Sequence, residues 1–403
     1  AGPSRLGTCD HCRWVARALS PLVGRSGVAG LDPGGTAVQV AAILGCGLVF
    51  TGVTAVAAQA ISHARSVRGV VGALLGGLYV LRGIGDLTDS PISWLSPIQW
   101  VIATDPYATP NPWPLLLAFL VALLLCLLAF RMASRRDFGA GLLRPRPGHP
   151  GYSSPLPPSL AMAWRIQRGT VLGWAIGLSV AALLYGAIAV DIEDLLGQNP
   201  QFSKALLQAG GGLLDSYFAT MLDFYAIVAT GFVIASTLRP ASEEKSGRAE
   251  LPLASAQSRV RWAAGNLVVA LFGAVLLMVL TGALSGVGYG LAGGDWSMVG
   301  ELAAAGPTFV PAMLVLGGLA ALSFGISPRA GFIAWAFYAV CALLVTLESL
   351  TVIVGRLADV SPFTHLALVP AETVAVQPLL ALTGIAILLS AAGLALWGRR
   401  DLT

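Results

Sequence analysis

Few residues in this sequence are placed to do chemistry. A phosphate-binding loop of the form G-x-x-x-x-G-K-[ST] needs a lysine directly after a glycine. The only two lysines, Lys204 and Lys245, follow Ser203 and Glu244. The chain therefore cannot hydrolyse ATP through such a loop, and no catalytic residue is assigned. Cys9 and Cys12 flank Asp10 and His11 in a C-D-H-C run. A zinc site needs about four ligands, and no second pair follows, so no metal is expected. Cys46, Cys126 and Cys341 lie in apolar runs and read as small core hydrophobes. Asp191, Glu193, Asp194 and Asp215 are close in sequence, but no histidine or nucleophile accompanies them. They read as an acidic helix start or a capped external helix rather than as a general acid/base pair.

Four ionisable residues fall inside long apolar runs: Arg82, Asp86, Asp223 and Glu348. A charge in lipid costs about 2.5–3.5 kcal/mol on insertion scales, so such groups face protein or water. Asp223 could line a path for cationic compounds or bond to a neighbouring helix. Arg82 has two potential partners. Asp86 stands four residues on and can pair locally. Glu348 is the cross-chain alternative, for a reason that the repeat below supplies.

The surroundings of these residues are a membrane protein. Of 403 residues, 56% are apolar and 11% are charged, against about 25% charged in a soluble domain. Mean hydropathy is +0.77. Too little polar surface remains to wrap this chain in water, which excludes a soluble enzyme, a coiled coil and a disordered chain. The net charge of +4 is spread over many loops, and no nucleic-acid partner is expected. At about 20 apolar residues per span, we read nine spans. They lie near Ala37–Ala60, Gly69–Asp86, Trp113–Arg131, Thr170–Val190, Ser216–Leu238, Gly265–Leu291, Pro307–Ile326, Gly331–Val354 and Val376–Trp397. Trp113, Trp174, Trp296 and Trp397 sit near span ends, as an aromatic belt would place them. The expected fold is an all-α polytopic bundle in a bacterial plasma membrane.

Charge sets the orientation. With the loop after the first span inside, inner loops hold 17 Lys and Arg and outer loops hold 2. Cytoplasmic loops carry the cationic excess, so the C-terminus is expected in the cytoplasm. Arg5, Arg13, Arg17 and Arg25 break the rule. Residues 1–35 are therefore expected to be non-native or poorly ordered.

An internal repeat accounts for the odd span number. Ser96-Pro97 follows the second span, and Ser361-Pro362 follows the eighth. Asp137 of Arg135-Arg136-Asp137 lies 40 residues after Pro97, and Asp401 of Arg399-Arg400-Asp401 lies 39 after Pro362. The expected organisation is three spans of a first half (36–143), a Pro-rich linker (144–158) and a six-span second half (159–403). Arg82 precedes Pro97 by 15 residues and Glu348 precedes Pro362 by 14. The two charges would then be near-equivalents of opposite sign.

Segment 239–262 is the most polar stretch between two spans. Ser242 can cap a short helix with Glu243 and Glu244 in its first turn, where the helix dipole favours anions. Glu244 and Arg248 stand four apart, and Pro252 limits the helix. Arg165 and Arg168, beside Trp164 and Ile166, read either as an interfacial helix entering the membrane or as a plain topogenic signal. His63 and His365 lie at span borders, and His149 lies in the linker.

These stretches resemble a known family. The residues 94–100 (WLSPIQW), 134–148 (SRRDFGAGLLRPRPG), 243–262 (EEKSGRAELPLASAQSRVRW), 361–366 (SPFTHL) and 398–402 (GRRDL) resemble the fused-half permeases of type-2 ABC exporters in actinobacteria. That group is described as polyketide-antibiotic (tetronasin-type) or multidrug exporters. The resemblance implies a separate ATP-binding cassette subunit that carries ATP and Mg, and a small hydrophobic or amphipathic cargo. It also implies that 239–262 is the coupling segment, with Glu243, Glu244, Gly247, Arg248, Glu250 and Arg259 at the docking face. It covers roughly residues 40–403, with three spans of the first half absent. Two other readings stand beside it. An ion-coupled secondary transporter would need midplane carboxylates, of which Asp223 is the best candidate. A membrane enzyme acting on lipid-linked sugar would need a large acidic outer loop, and the outer loops here are short.

Overall fold

Asp32 opens the first helix: its carboxylate accepts from the Gly35 amide at 2.6 Å, and Thr36 Oγ1 donates back to its carbonyl at 2.9 Å. From there a computed structural model describes residues 32–61, 64–87, 90–134, 157–197, 212–245, 247, 258–293, 295–347 and 359–400. The side chains of 191–197 fall outside that description, as do His63, Glu348 and residues 1–31. The described elements are helices and short turns, so the all-α expectation holds. The chain divides into two compact units, residues 1–150 and 151–403.

The first unit holds α1 (Pro33–Ala60), α2 (Ala64–Leu87), a 3₁₀ turn (Pro91–Leu95), α3 (Pro97–Ile102) and α4 (Trp113–Ala133). α1 packs along α4, and its core is Val49, Trp100, Ala118 and Ala122. The second unit holds α5 (Pro158–Gly197), α6 (Leu213–Thr237), α7 (Arg239–Lys245), α8 (Arg259–Gly293) and α9 (Ser297–Ala305). α10 (Val310–Ile326), α11 (Phe332–Leu347) and α12 (Val376–Arg399) complete it. Its core runs along α6 through Phe218, Leu222, Tyr225 and Phe232, and meets Leu277 and Met278 of α8 and Met313 and Leu316 of α10.

Among the described residues, eight helices are long and apolar enough to cross a membrane. α9 and α10, joined by a 3₁₀ turn at Gly306–Phe309, form one of them. α11 covers the first part of the remaining expected span (Gly331–Val354) as a shorter apolar helix, and residues 348–354 lie outside the description. α6 and α10 are buried on most sides, whereas α2 and α12 expose most of their apolar surface. An apolar helix is explained in either setting, because protein and lipid both solvate it. Asp295 turns the chain between α8 and α9. It accepts from the Ser297 amide (2.9 Å) and hydroxyl (2.7 Å), which holds its carboxyl below the usual carboxylate range.

Three local expectations are corrected. α5 runs unbroken from Pro158 through Trp164–Arg168 into the span. Its helix continues past the span end at Val190 to Gly197, so 191–194 fall in its last turns and not at an acidic helix start. Trp397 is 1% exposed rather than part of a belt. Cys126 is exposed on α4, whereas Cys341 is buried.

The two units repeat one packing pattern. α4 buries Ala118, Ala122 and Ala129, and α12 buries Leu382, Ala386 and Gly393, with identical spacing. A Cβ on Gly52 of α1 would meet Leu125 Cβ at 2.7 Å and the Ala122 carbonyl at 3.6 Å. A Cβ on Gly318 of α10 would meet Leu389 Cβ and the Ala386 carbonyl, both at 2.9 Å. Only glycine allows this backbone approach. The Ser-Pro turns match as well. Ser96 Oγ accepts from the Ile98 amide and Ser361 Oγ from the Phe363 amide, both at 3.4 Å. Trp100 Nε1 donates to the Trp94 carbonyl at 2.8 Å, and His365 Nε2 donates to the Asp359 carbonyl at 2.9 Å.

Candidate functional site

α7 begins only one residue after α6 ends, at Arg239, with Pro240 in its first turn. Proline is tolerated there because its missing N–H would have no partner anyway. Ser242 is consequently a mid-helix residue and not the expected cap. Gly247, at φ +69°, ends the turn, and its amide donates to the Glu244 carbonyl at 3.0 Å. That left-handed conformation suits glycine past a helix end.

The acidic pair of α7 faces the bundle. Arg239 Nε donates to Glu243 Oε1 at 3.2 Å, and Glu243 is 7% exposed. Glu244 accepts on both oxygens from Arg400 Nη2, at 2.8 and 2.6 Å. Arg400 Nη1 donates to the Phe324 carbonyl at 3.0 Å. The guanidinium also lies 4.7 Å over the Trp397 ring and 5.3 Å over Phe324. Arg259 completes the cluster: its Nη1 donates to the Arg400 carbonyl at 3.1 Å and its carbonyl accepts from Trp397 Nε1 at 3.3 Å. Beneath lie Ala241, Trp262, Ala263, Phe324 and Trp397. The cavity left there is about 10 Å³, room for about one water and not for a drug-sized molecule. The cluster is a joint between α7, α8, α10 and α12 rather than a ligand pocket.

The expected site residues thus divide. Glu243, Glu244, Gly247 and Arg259 are described, and the joint gathers Glu244 and Arg259. Arg248 and Glu250 lie outside the described residues. Arg400 was legible only as part of a repeated motif, because its partner is 156 residues away.

Arg82 Nη2 meets Asp86 Oδ2 at 2.7 Å, so α2 realises the local pairing. Glu348, the alternative partner, lies outside the described residues. Asp223 is half-buried on α6, two residues before the buried Tyr225. Sequence reasoning missed a buried uncharged network, which has no sequence signal. Gln167 Nε2 of α5 donates to Asn266 Oδ1 of α8 at 2.7 Å, and Ser236 Oγ of α6 donates to Gln167 Oε1 at 2.5 Å. Asn266 Nδ2 then donates to the Trp262 carbonyl at 3.0 Å. Among the described residues no cluster of His, Cys, Asp or Glu could hold a metal.

Comparison with known proteins shows the family. Residues 156–397 match the family model described as "Multidrug efflux system permease Rv1217c, C-terminal domain". The chain is 34% identical over 397 residues to the multidrug efflux system permease protein Rv1217c of Mycobacterium tuberculosis (strain ATCC 25618 / H37Rv), covering 96% of this chain and 71% of that protein. Such coverage extends into residues 1–35, so at least part of that segment aligns within the family. The chain is a multi-pass membrane protein and belongs to the family of Rv1217c-type multidrug efflux permeases.

Proposed function

We propose that the chain is the membrane-spanning subunit of an ATP-driven exporter of small hydrophobic or amphipathic compounds. ATP and Mg bind a separate ATP-binding cassette subunit. The match to a multidrug efflux permease over nearly the whole chain carries the proposal. The bias of 17 inner to 2 outer cations supports a plasma-membrane topology with the C-terminus and α7 in the cytoplasm. There the segment 239–262 docks the ATP-binding subunit, with Glu243, Glu244, Gly247, Arg248, Glu250 and Arg259 forming or shaping the docking face. The pairs Arg239–Glu243 and Arg400–Glu244 give α7 the rigidity such a contact needs. On this reading the two units are the last three spans of one half and a six-span second half, sharing one orientation. Their matching Ser-Pro turns and buried spacings support it.

The test is ethidium efflux from cells that express the protein with its ATP-binding subunit. Efflux that survives collapse of the proton gradient and stops on ATP depletion supports the proposal. Efflux lost with the proton gradient while ATP is present would establish a secondary transporter, and Asp223→Asn would then be the first variant to examine.

A further inference from the structure

α7 is joined covalently to α6 and, through residues 246–258, to α8. A charged link from α7 to the end of α12 passes through Arg400. That side chain does three things at once: it holds both oxygens of Glu244, donates to the Phe324 carbonyl of α10, and stacks on Trp397 and Phe324. Its own carbonyl accepts from Arg259 of α8. A planar guanidinium can make this set of contacts, whereas an ammonium cannot. We infer that Arg400 is a positioning residue that fastens the docking helix α7 to α10 and α12, so that displacement of α7 reaches these spans and not only its covalent neighbours.

The burial of the pair supports a mechanical role. Glu244 and Arg400 side chains are 9% and 16% exposed, over the buried cluster of Ala241, Trp262, Ala263, Phe324 and Trp397. Close-packed joints move as units rather than deforming continuously. The same end of α12 is pinned a second time by the Trp397–Arg259 hydrogen bond. α10 and α12 are themselves in backbone contact at Gly325 and Gly393, so motion delivered to one is delivered to both.

This inference rests on the reading of α7 as the docking element, and the experiment separates the two. The full protein is co-expressed with its ATP-binding subunit, and inverted membrane vesicles are assayed for copurification, ATP hydrolysis and ATP-driven ethidium uptake. Ser242→Arg places bulk on the exposed side of α7 and tests docking alone. It is expected to abolish copurification; retained copurification and transport would remove the docking reading and this inference with it. Arg400→Gln and Arg400→Lys test the joint. Both are expected to keep copurification while ethidium transported per ATP hydrolysed falls, more for Gln than for Lys. The swap Glu244→Arg with Arg400→Glu is expected to restore part of that ratio. A merely structural role would lower the amount of complex and both rates together, leaving the ratio unchanged, and that result would overturn the inference. Should Arg400→Gln fail to accumulate, the Arg400→Lys ratio decides.

Discussion

The polar network of Gln167, Asn266 and Ser236 should behave as one unit with Gln167 at its centre. All three residues are buried, at 3%, 4% and 3% exposure, and each comes from a different helix. Ser236→Ala removes the donor to Gln167 Oε1 and leaves that oxygen buried without it. Hydrogen bonds between membrane helices average about 0.6 kcal/mol, with a maximum near 1.7, and the cost is expected in that range. Asn266→Leu removes two hydrogen bonds and orphans a Gln167 N–H, at a cost of about 1–3 kcal/mol. The discriminating measurement is a double-mutant cycle. In a Gln167→Leu background the Ser236 hydroxyl has lost its acceptor, so Ser236→Ala should cost almost nothing there. Unfolding of purified protein in micelles, followed by tryptophan fluorescence, gives each free energy. If Ser236→Ala costs the same in both backgrounds within about 0.3–0.5 kcal/mol, the sites are independent. The network would then be a coincidence of geometry.

Gly318→Ala should destabilise by about 1–3 kcal/mol, because its Cβ would press on the Ala386 carbonyl and Leu389 Cβ at 2.9 Å. Gly52→Ala should do the same against Leu125, whereas Gly173→Ala, with nothing within 4 Å, should be neutral or gain up to about 1 kcal/mol of helix propensity. The same micelle unfolding assay ranks them, and a Gly173 cost equal to that of Gly318 would contradict the packing. Reporter fusions at Thr403 and near Gln198 should report opposite sides of the membrane, and finding both on one side would overturn the charge-derived orientation.

The spans were legible because length and hydropathy are local. The Arg82–Asp86 pair was legible as one of two options because i,i+4 spacing brings side chains together on any helix. The start of α7 was not. Ser242 has the right chemistry for a cap, but the chain resumes its helix one residue after α6, and continuity outweighs a cap preference. Trp397 stands near a span end, where a belt would place it, yet Trp262 and Phe324 enclose it and the Arg259 carbonyl takes its indole N–H. The Arg400–Glu244 contact depends on three elements meeting at one end of the bundle, which no spacing rule encodes. The Gln167 network was invisible for a different reason: uncharged amides in a span carry no charge signature.

The repeat shows the same division between what residues encode and what geometry encodes. Self-similarity in the sequence surfaces at the turns, in Ser-Pro and Arg-Arg-Asp, and fades within the spans. Packing explains the difference. A lipid-facing position asks only for apolarity, so Leu, Val, Ile and Phe interchange there freely. A close-approach position asks only for small size, which Ala122 and Ala386, or Ala129 and Gly393, satisfy equally. The turns are stricter because a serine hydroxyl must meet one particular amide. Even there, function rather than identity is kept. Trp100 and His365 share little except a ring N–H, and each delivers it to the carbonyl six residues earlier. On the proposed reading of the two units as parts of related halves, residue identity within the spans has diverged while buried spacings and turn hydrogen bonds match. Such a relationship is then sought in spacings of small residues and ring donors, not in matching letters.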